Sequence, residues 1–339
     1  MADAQLQVVI VGGGLGGLCA AHGLRAAGIG VTVYERDPSL DHRPQGYRIH
    51  LDSRGAGALR ECLPVRLYEL FTATSGQPSR RVIIVDERLR ELHAVEFDGV
   101  SADGDPASFS ASADRMTLRR ILLAGLEDAV RFGAEFTRYE TEGERVRTWF
   151  ADGSSVGCDL LVGARLWPGL DPRWRGDYVM WSLAVPAALL PGSDAELSSR
   201  GAGHLHRFVA GRVAGWHPAL VRLIEAADVD QTSCVPIRSS VPVAPWETSA
   251  VTVLGDAIHA MSPAQGSWAN CALLDAALLC RTLRAAVASG GSLTAAIGEY
   301  ERRMTEYGFA AVRASEQAAS SFGGNPLGRV LQWIGRRSR

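Results

Sequence analysis

Gly12, Gly14 and Gly17 in the stretch Val11-Gly12-Gly13-Gly14-Leu15-Gly16-Gly17 stand at the spacing G-x-G-x-x-G, which suits the binding of a diphosphate. The first glycine permits a tight turn, the second lets main chain approach the pyrophosphate, and the third lets a helix pack closely on a strand. A helix that begins at Leu15 offers N–H groups with no partner inside the helix, and its dipole favours an anion there. Glu35 lies 18 residues beyond Gly17, where a carboxylate accepts hydrogen bonds from ribose hydroxyls, and Arg36 follows it.

The elements that must position these residues are legible on either side. Residues 8–11 are the apolar run Val-Val-Ile-Val, 15–27 carry helical periodicity until Gly28 stops them, and 31–34 form a second strand ahead of Glu35. Strand, helix, spacing and acid agree, against the alternative of a merely glycine-rich loop. This order opens a doubly wound parallel sheet. Residues 82–85 and 88–95 predict a hairpin outside that sheet. An amphipathic helix is predicted over 117–132, then strands over 146–150 and 156–163 joined by Ala151-Asp152-Gly153-Ser154. Residues 165–177, rich in Pro, Gly and Trp, read as an irregular connection and 178–185 as a strand. A helix starts near Pro218, and a buried strand covers 251–254. Helices then span 270–288, stopped by Gly290-Gly291, and 293–320, ahead of a loosely held tail over 323–339.

Composition narrows the class of partner. The 339 residues are 47% hydrophobic, enough for one large or two modest domains, and a net charge of -2 argues against nucleic acid or an anionic membrane. A small molecule fits better. No apolar stretch reaches the roughly 18 residues of a membrane span, and residues 1–5 lack a basic, apolar leader, so the expected location is cytoplasmic. Cys19, Cys62, Cys158, Cys234, Cys271 and Cys280 form no C-x-x-C pair and read as buried, reduced thiols. His204, His206 and His217 lack metal-ligand spacing, so no metal is expected.

The strand 251–254 enters Gly255-Asp256-Ala257-Ile258-His259, followed by Met261-Ser262-Pro263 and Gly266. This segment resembles the GD motif of the FAD-dependent aromatic hydroxylases, the para-hydroxybenzoate hydroxylase-like flavoprotein monooxygenases. Tyr34-Glu35-Arg36-Asp37, Arg43-Pro44-Gln45-Gly46-Tyr47 and Asp114-Arg115-Met116-Thr117-Leu118 are also similar to segments of that family. The resemblance implies FAD as cofactor, NADPH or NADH as reductant, and hydroxylation of an aromatic or polyketide-like small molecule. It implies that Gly255 and Asp256 meet the ribityl chain, that Arg115 lies along the cofactor, and that Pro263 and Gly266 border the isoalloxazine. The helix beginning near Asn270 would aim its positive end at the flavin pyrimidine ring. Arg43 and Arg48 are candidates for the NADPH phosphate. The implied fold is α/β: a Rossmann-like FAD-binding domain (1–75, 101–165 and 247–290), a smaller, truncated mixed β-sheet substrate domain (76–100 and 166–246), and a C-terminal helical segment (291–339). No catalytic side chain is assigned, and the sequence leaves the oligomeric state open.

Three departures strike the redox end of the expected site. Arg165-Leu166 stands where the family has Asp-Gly, and Asp177-Tyr178-Val179-Met180-Trp181 arrives early, as though a block of the substrate domain were absent. Trp268 occupies a position where the family commonly has glycine; its indole either reaches the flavin or turns outward. Such a loss would admit water to a pocket that oxygen transfer needs dry. Three readings stay open: a working monooxygenase, a non-redox descendant such as a cofactor-poor cyclase, isomerase or binding protein, or a deletion variant that folds poorly.

Overall fold

β1 (Gln7–Val11), α1 (Leu15–Ala26) and β2 (Gly30–Glu35) follow one another as the glycine pattern requires. A computed structural model of the chain describes residues 5–40, 42, 48–76, 81–96, 110–164, 179–186 and 189–322. Next come β3 (Arg48–Asp52), α2 (Ser53–Cys62), α3 (Val65–Thr74) and the hairpin β4 (Arg81–Val85) with β5 (Glu91–Glu96). β6 (Ser110–Asp114), α4 (Arg115–Leu123), β7 (Val130–Phe132), β8 (Phe136–Glu142), β9 (Arg145–Phe150), β10 (Ser155–Cys158) and β11 (Leu160–Ala164) continue the chain. After them come α5 (Asp194–Ser199), α6 (Ala202–Val213), α7 (Pro218–Glu225), β12 (Val251–Leu254), the single turn α8 (Asp256–His259), α9 (Trp268–Ser289) and α10 (Leu293–Phe322).

The central sheet runs β12-β11-β1-β2-β7, parallel throughout. The alternation of β1 divides the core. Val8 and Ile10 enter the large cluster with Leu18 and Leu24 of α1 and Leu279 and Leu283 of α9. Val9 faces the other way, toward Val146, Cys158 and Leu161. That second face is covered by the antiparallel sheet β10-β9-β8, to which β2 is also tied by Tyr34 stacked on Phe150 at 4.3 Å. Parallel strands buried on both faces need such apolar runs, and truncating one of the fully buried leucines to alanine costs about 2–5 kcal/mol.

Several expectations need correction. The helix predicted over 117–132 ends at Leu123; Gly125 takes a left-handed conformation (φ 81), and Val130 pairs with Val33 as an edge strand. Tertiary pairing overrode helical periodicity there. The strand predicted over 156–163 is two: β10 pairs antiparallel with β9, β11 parallel with β1, and between them the Asp159 carboxylate accepts Gln7 N–H at 2.8 Å. Residues 179–186 form no strand among the described residues, α6 precedes the helix that starts at Pro218, and α9 begins at Trp268 rather than Asn270. The irregular 165–177 segment, Tyr178 and the tail 323–339 lie outside the described residues.

β12 is held by α10. The buried Glu301 carboxylate accepts hydrogen bonds from Thr252 Oγ1 (2.9 Å), Thr248 Oγ1 (2.8 Å) and Trp246 Nε1 (3.1 Å), and Tyr300 donates to Val253 O at 2.8 Å. Among the described residues no helix is long and apolar enough to cross a membrane, and no group of His, Cys, Asp or Glu stands together as a metal-binding set.

Candidate functional site

The glycine turn sits where the carboxyl ends of β1, β2, β11 and β12 meet, the place at which open α/β sheets bind ligands. Gly12 has φ 118 and donates its N–H to Tyr34 O at 2.8 Å; a Cβ on it would lie 1.4 Å from Ala164 O. A Cβ on Gly17 would lie 2.2 Å from Gly12 O. Both positions therefore exclude any side chain. Gly14 is the extended N-cap of α1 and Leu15 its first residue; with no side-chain cap, the helix presents its leading N–H groups to whatever occupies the turn.

Glu35 closes β2 and is buried beside this turn. Its Oε2 accepts Gly13 N–H at 2.9 Å and its Oε1 accepts Asp37 N–H at 3.0 Å. Arg119, also buried, donates from Nε to Gly13 O at 3.0 Å and from a terminal nitrogen to Leu40 O at 3.1 Å, and brings its charge within 3.6 Å of Glu35 Oε2. Arg119 was not singled out in the sequence. The signal for it is Arg115, Leu118, Arg119 and Leu122 on one buried face of α4, because a cation on an apolar helical face must have a partner.

A narrow cleft opens from this turn. Gly14, Leu15 and Gly17 of the turn line it together with Gly255, Asp256, Trp268 and Arg115. The Arg115 guanidinium is buried and its central carbon stands 4.9 Å from the centre of the Trp268 ring. Trp268 thus lines the cleft and does not turn away from it. Asp256, half-buried, begins α8 at the cleft wall.

The Gly255-Asp256 corner is braced from behind. Gly255 (φ 60) donates its N–H to Asp275 Oδ2 at 2.7 Å, His259 Nε2 meets the same oxygen at 2.7 Å, and the Tyr307 hydroxyl donates to Asp275 Oδ1. Burial lowers the His259 pKa, but the charge and hydrogen bond of Asp275 more than offset it, leaving the value above the ordinary histidine range. Burial first, then Asp275, raises the Tyr307 hydroxyl, which stays protonated as the donor. A raised histidine value stabilises the fold below the unfolded value and ceases to do so as pH rises through the folded one. Wild-type stability is expected to decline through that window, and His259→Gln to lack the decline; urea midpoints between about pH 6 and 9 check this.

The other candidates among the described residues are not at the cleft wall. Arg36 and Arg48 are exposed, and Pro263 is exposed at the start of a short 3-10 turn. Gly266 ends that turn in a left-handed conformation (φ 63). Asn270 is buried and committed to structure: its Oδ1 accepts Asp52 N–H at 3.0 Å, and its Nδ2 donates to His50 O at 3.1 Å and Gly266 O at 3.0 Å. Arg43 and the Arg165-Leu166 pair lie outside the described residues.

Comparison with known proteins matches this geometry from two directions. The family model of an NAD(P)-binding Rossmann-like domain matches residues 10–51, and that of an FAD binding domain matches residues 213–315. The dual O-methyltransferase/FAD-dependent monooxygenase elcB of Phaeosphaeria nodorum is 29% identical over 84% of this chain and 41% of its own length. The chain spans about two fifths of the length of the dual-function relatives it matches. An FAD-dependent urate hydroxylase of Klebsiella pneumoniae is 28% identical over 87% of this chain and 85% of its own. In fold, the crystal structure of Klebsiella pneumoniae HpxO complexed with FAD and uric acid superposes with a TM-score of 0.74 at 21% identity, covering 98% of this chain and 92% of that one.

Proposed function

We propose that this chain is an FAD-dependent flavoprotein monooxygenase that binds FAD along the cleft and hydroxylates a small aromatic or polyketide-like molecule. One observation carries the reading: Gly12 and Gly17 leave no room for a Cβ while Glu35 Oε2 holds Gly13 N–H at 2.9 Å, so a bare main-chain turn stands beside a fixed acid. In this assignment Gly12, Gly14, Leu15 and Gly17 cradle the diphosphate, and Glu35 with Arg36 serves the adenosine ribose. Asp256, presented by the Gly255 corner, takes the ribityl hydroxyls, and Arg115 places a cation against the anionic cofactor. Pro263, Gly266 and Asn270 shape the ring end, Asn270 by holding Gly266 and β3. In this reading the FAD-binding unit comprises residues 1–75, 101–165 and 247–290, with 76–100 and 166–246 serving the substrate and 291–339 forming a C-terminal segment.

FAD would supply the redox chemistry when bound: reduced by NADPH or NADH, it would let one oxygen atom of O₂ pass to an electron-rich carbon while the other leaves as water. The side chains bind, orient and keep water out. The relatives' activities favour this reading over a non-redox descendant. Anaerobic NADPH added to the FAD-loaded protein is expected to bleach the flavin band near about 450 nm. Air together with an aromatic substrate should then restore the band and yield a hydroxylated product. A flavin band that neither NADPH nor NADH bleaches would overturn the redox assignment.

A further inference from the structure

We infer that Arg115 and Trp268 form a self-occluding latch in the cleft, closed when the guanidinium lies over the indole and opened when the flavin end of the cofactor enters. The inference rests on the FAD reading above. Both side chains line the same cleft as the glycine turn and Asp256, so they occupy the route from the diphosphate cradle toward the ring end. Their contact, 4.9 Å from cation to ring centre with the guanidinium nearly fully buried, is of the desolvated kind that is strongest.

The backbones beneath the pair are fixed. Arg115 begins α4, capped by Asp114, whose Oδ1 accepts Thr117 N–H and Thr117 Oγ1, both at 2.8 Å. Trp268 begins α9, and Asn270 two residues on is tied to Asp52, His50 and Gly266. Opening must therefore come from side-chain rotation, and the half-buried indole is the member with solvent beside it. An opened latch changes the electrostatics as well as the space: the guanidinium, no longer covered by a π face, meets the anionic cofactor together with the amino end of α9. A glycine or alanine at this position would leave the cleft permanently open, whereas tryptophan makes the bound ring compete with an internal contact.

The test compares FAD with ADP, which reaches only the cradle. Titrations of wild type, Trp268→Ala and Trp268→Leu are expected to give FAD affinity about tenfold tighter in the alanine variant, a smaller gain in the leucine variant, and the same ADP affinity in all three. Leucine keeps apolar bulk on α9 and provides the folded comparison should alanine disturb the helix start. FAD affinity unchanged or weakened in the folded variants, with ADP binding retained, overturns the latch while sparing the FAD reading. Wild-type protein that binds neither ADP nor FAD overturns both.

Discussion

Gly12→Ala is expected to destabilise the protein by about 2–5 kcal/mol and to abolish FAD binding at the same time. The two effects share one cause. Gly12 is held at φ 118 by the bond from its N–H to Tyr34 O, and a methyl group there would lie 1.4 Å from the carbonyl oxygen that ends β11. Either the turn rotates, pulling the start of α1 from the sheet, or β11 moves, disturbing its register with β1 and β12. Both outcomes displace the leading N–H groups of α1 from where a diphosphate would sit. Urea unfolding with a parallel FAD titration checks the pair, and Gly28→Ala provides a control: Gly28 also has a positive φ (74) but no atom within 4 Å of an added Cβ.

Glu35→Ala ranks next. The carboxylate accepts Gly13 N–H and Asp37 N–H and stands 3.6 Å from the buried Arg119 charge. Removing it takes the anion away from a cation 1% exposed, and breaking a buried pair from one side costs about 3–5 kcal/mol. The variant should lose FAD affinity by at least about tenfold, since a hydrogen bond to a charged group contributes roughly 1.5–3 kcal/mol. Glu35→Gln separates the roles: it keeps one acceptor oxygen for the turn but loses the charge beside Arg119. Its stability should fall between wild type and alanine, as measured by thermal unfolding and FAD titration.

What was legible in the sequence is what is local. Gly12, Gly14, Gly17 and Glu35 lie within one β-α-β unit, where spacing along the chain nearly fixes spacing in space. Strand 251–254 was readable for the same reason, and the Gly255-Asp256 corner through its resemblance to the GD motif. Residues whose meaning depends on distant packing were not. Arg119 acquires its role only because α4 crosses behind the glycine turn and lets a helical arginine reach Gly13 O. Asp275 braces Gly255 because α9 and α10 converge on α8, a meeting that periodicity in either helix does not encode. β7 escaped notice because Ile121, Leu122, Leu126 and Val130 continue an apolar pattern through Gly125, and pairing with β2 decides otherwise. The β8-β9-β10 cover is likewise a consequence of long-range association: its strands were visible in part, their place against the second face of the sheet was not.

Calorimetric titration of the purified chain with FAD, repeated in saturating ADP, tests the central claim most directly, because ADP carries only the part that the glycine turn and Glu35 are assigned. One FAD per chain, displaced competitively by ADP, is the predicted result. FAD that binds with ADP already present, or a chain that takes up neither, would contradict the assignment.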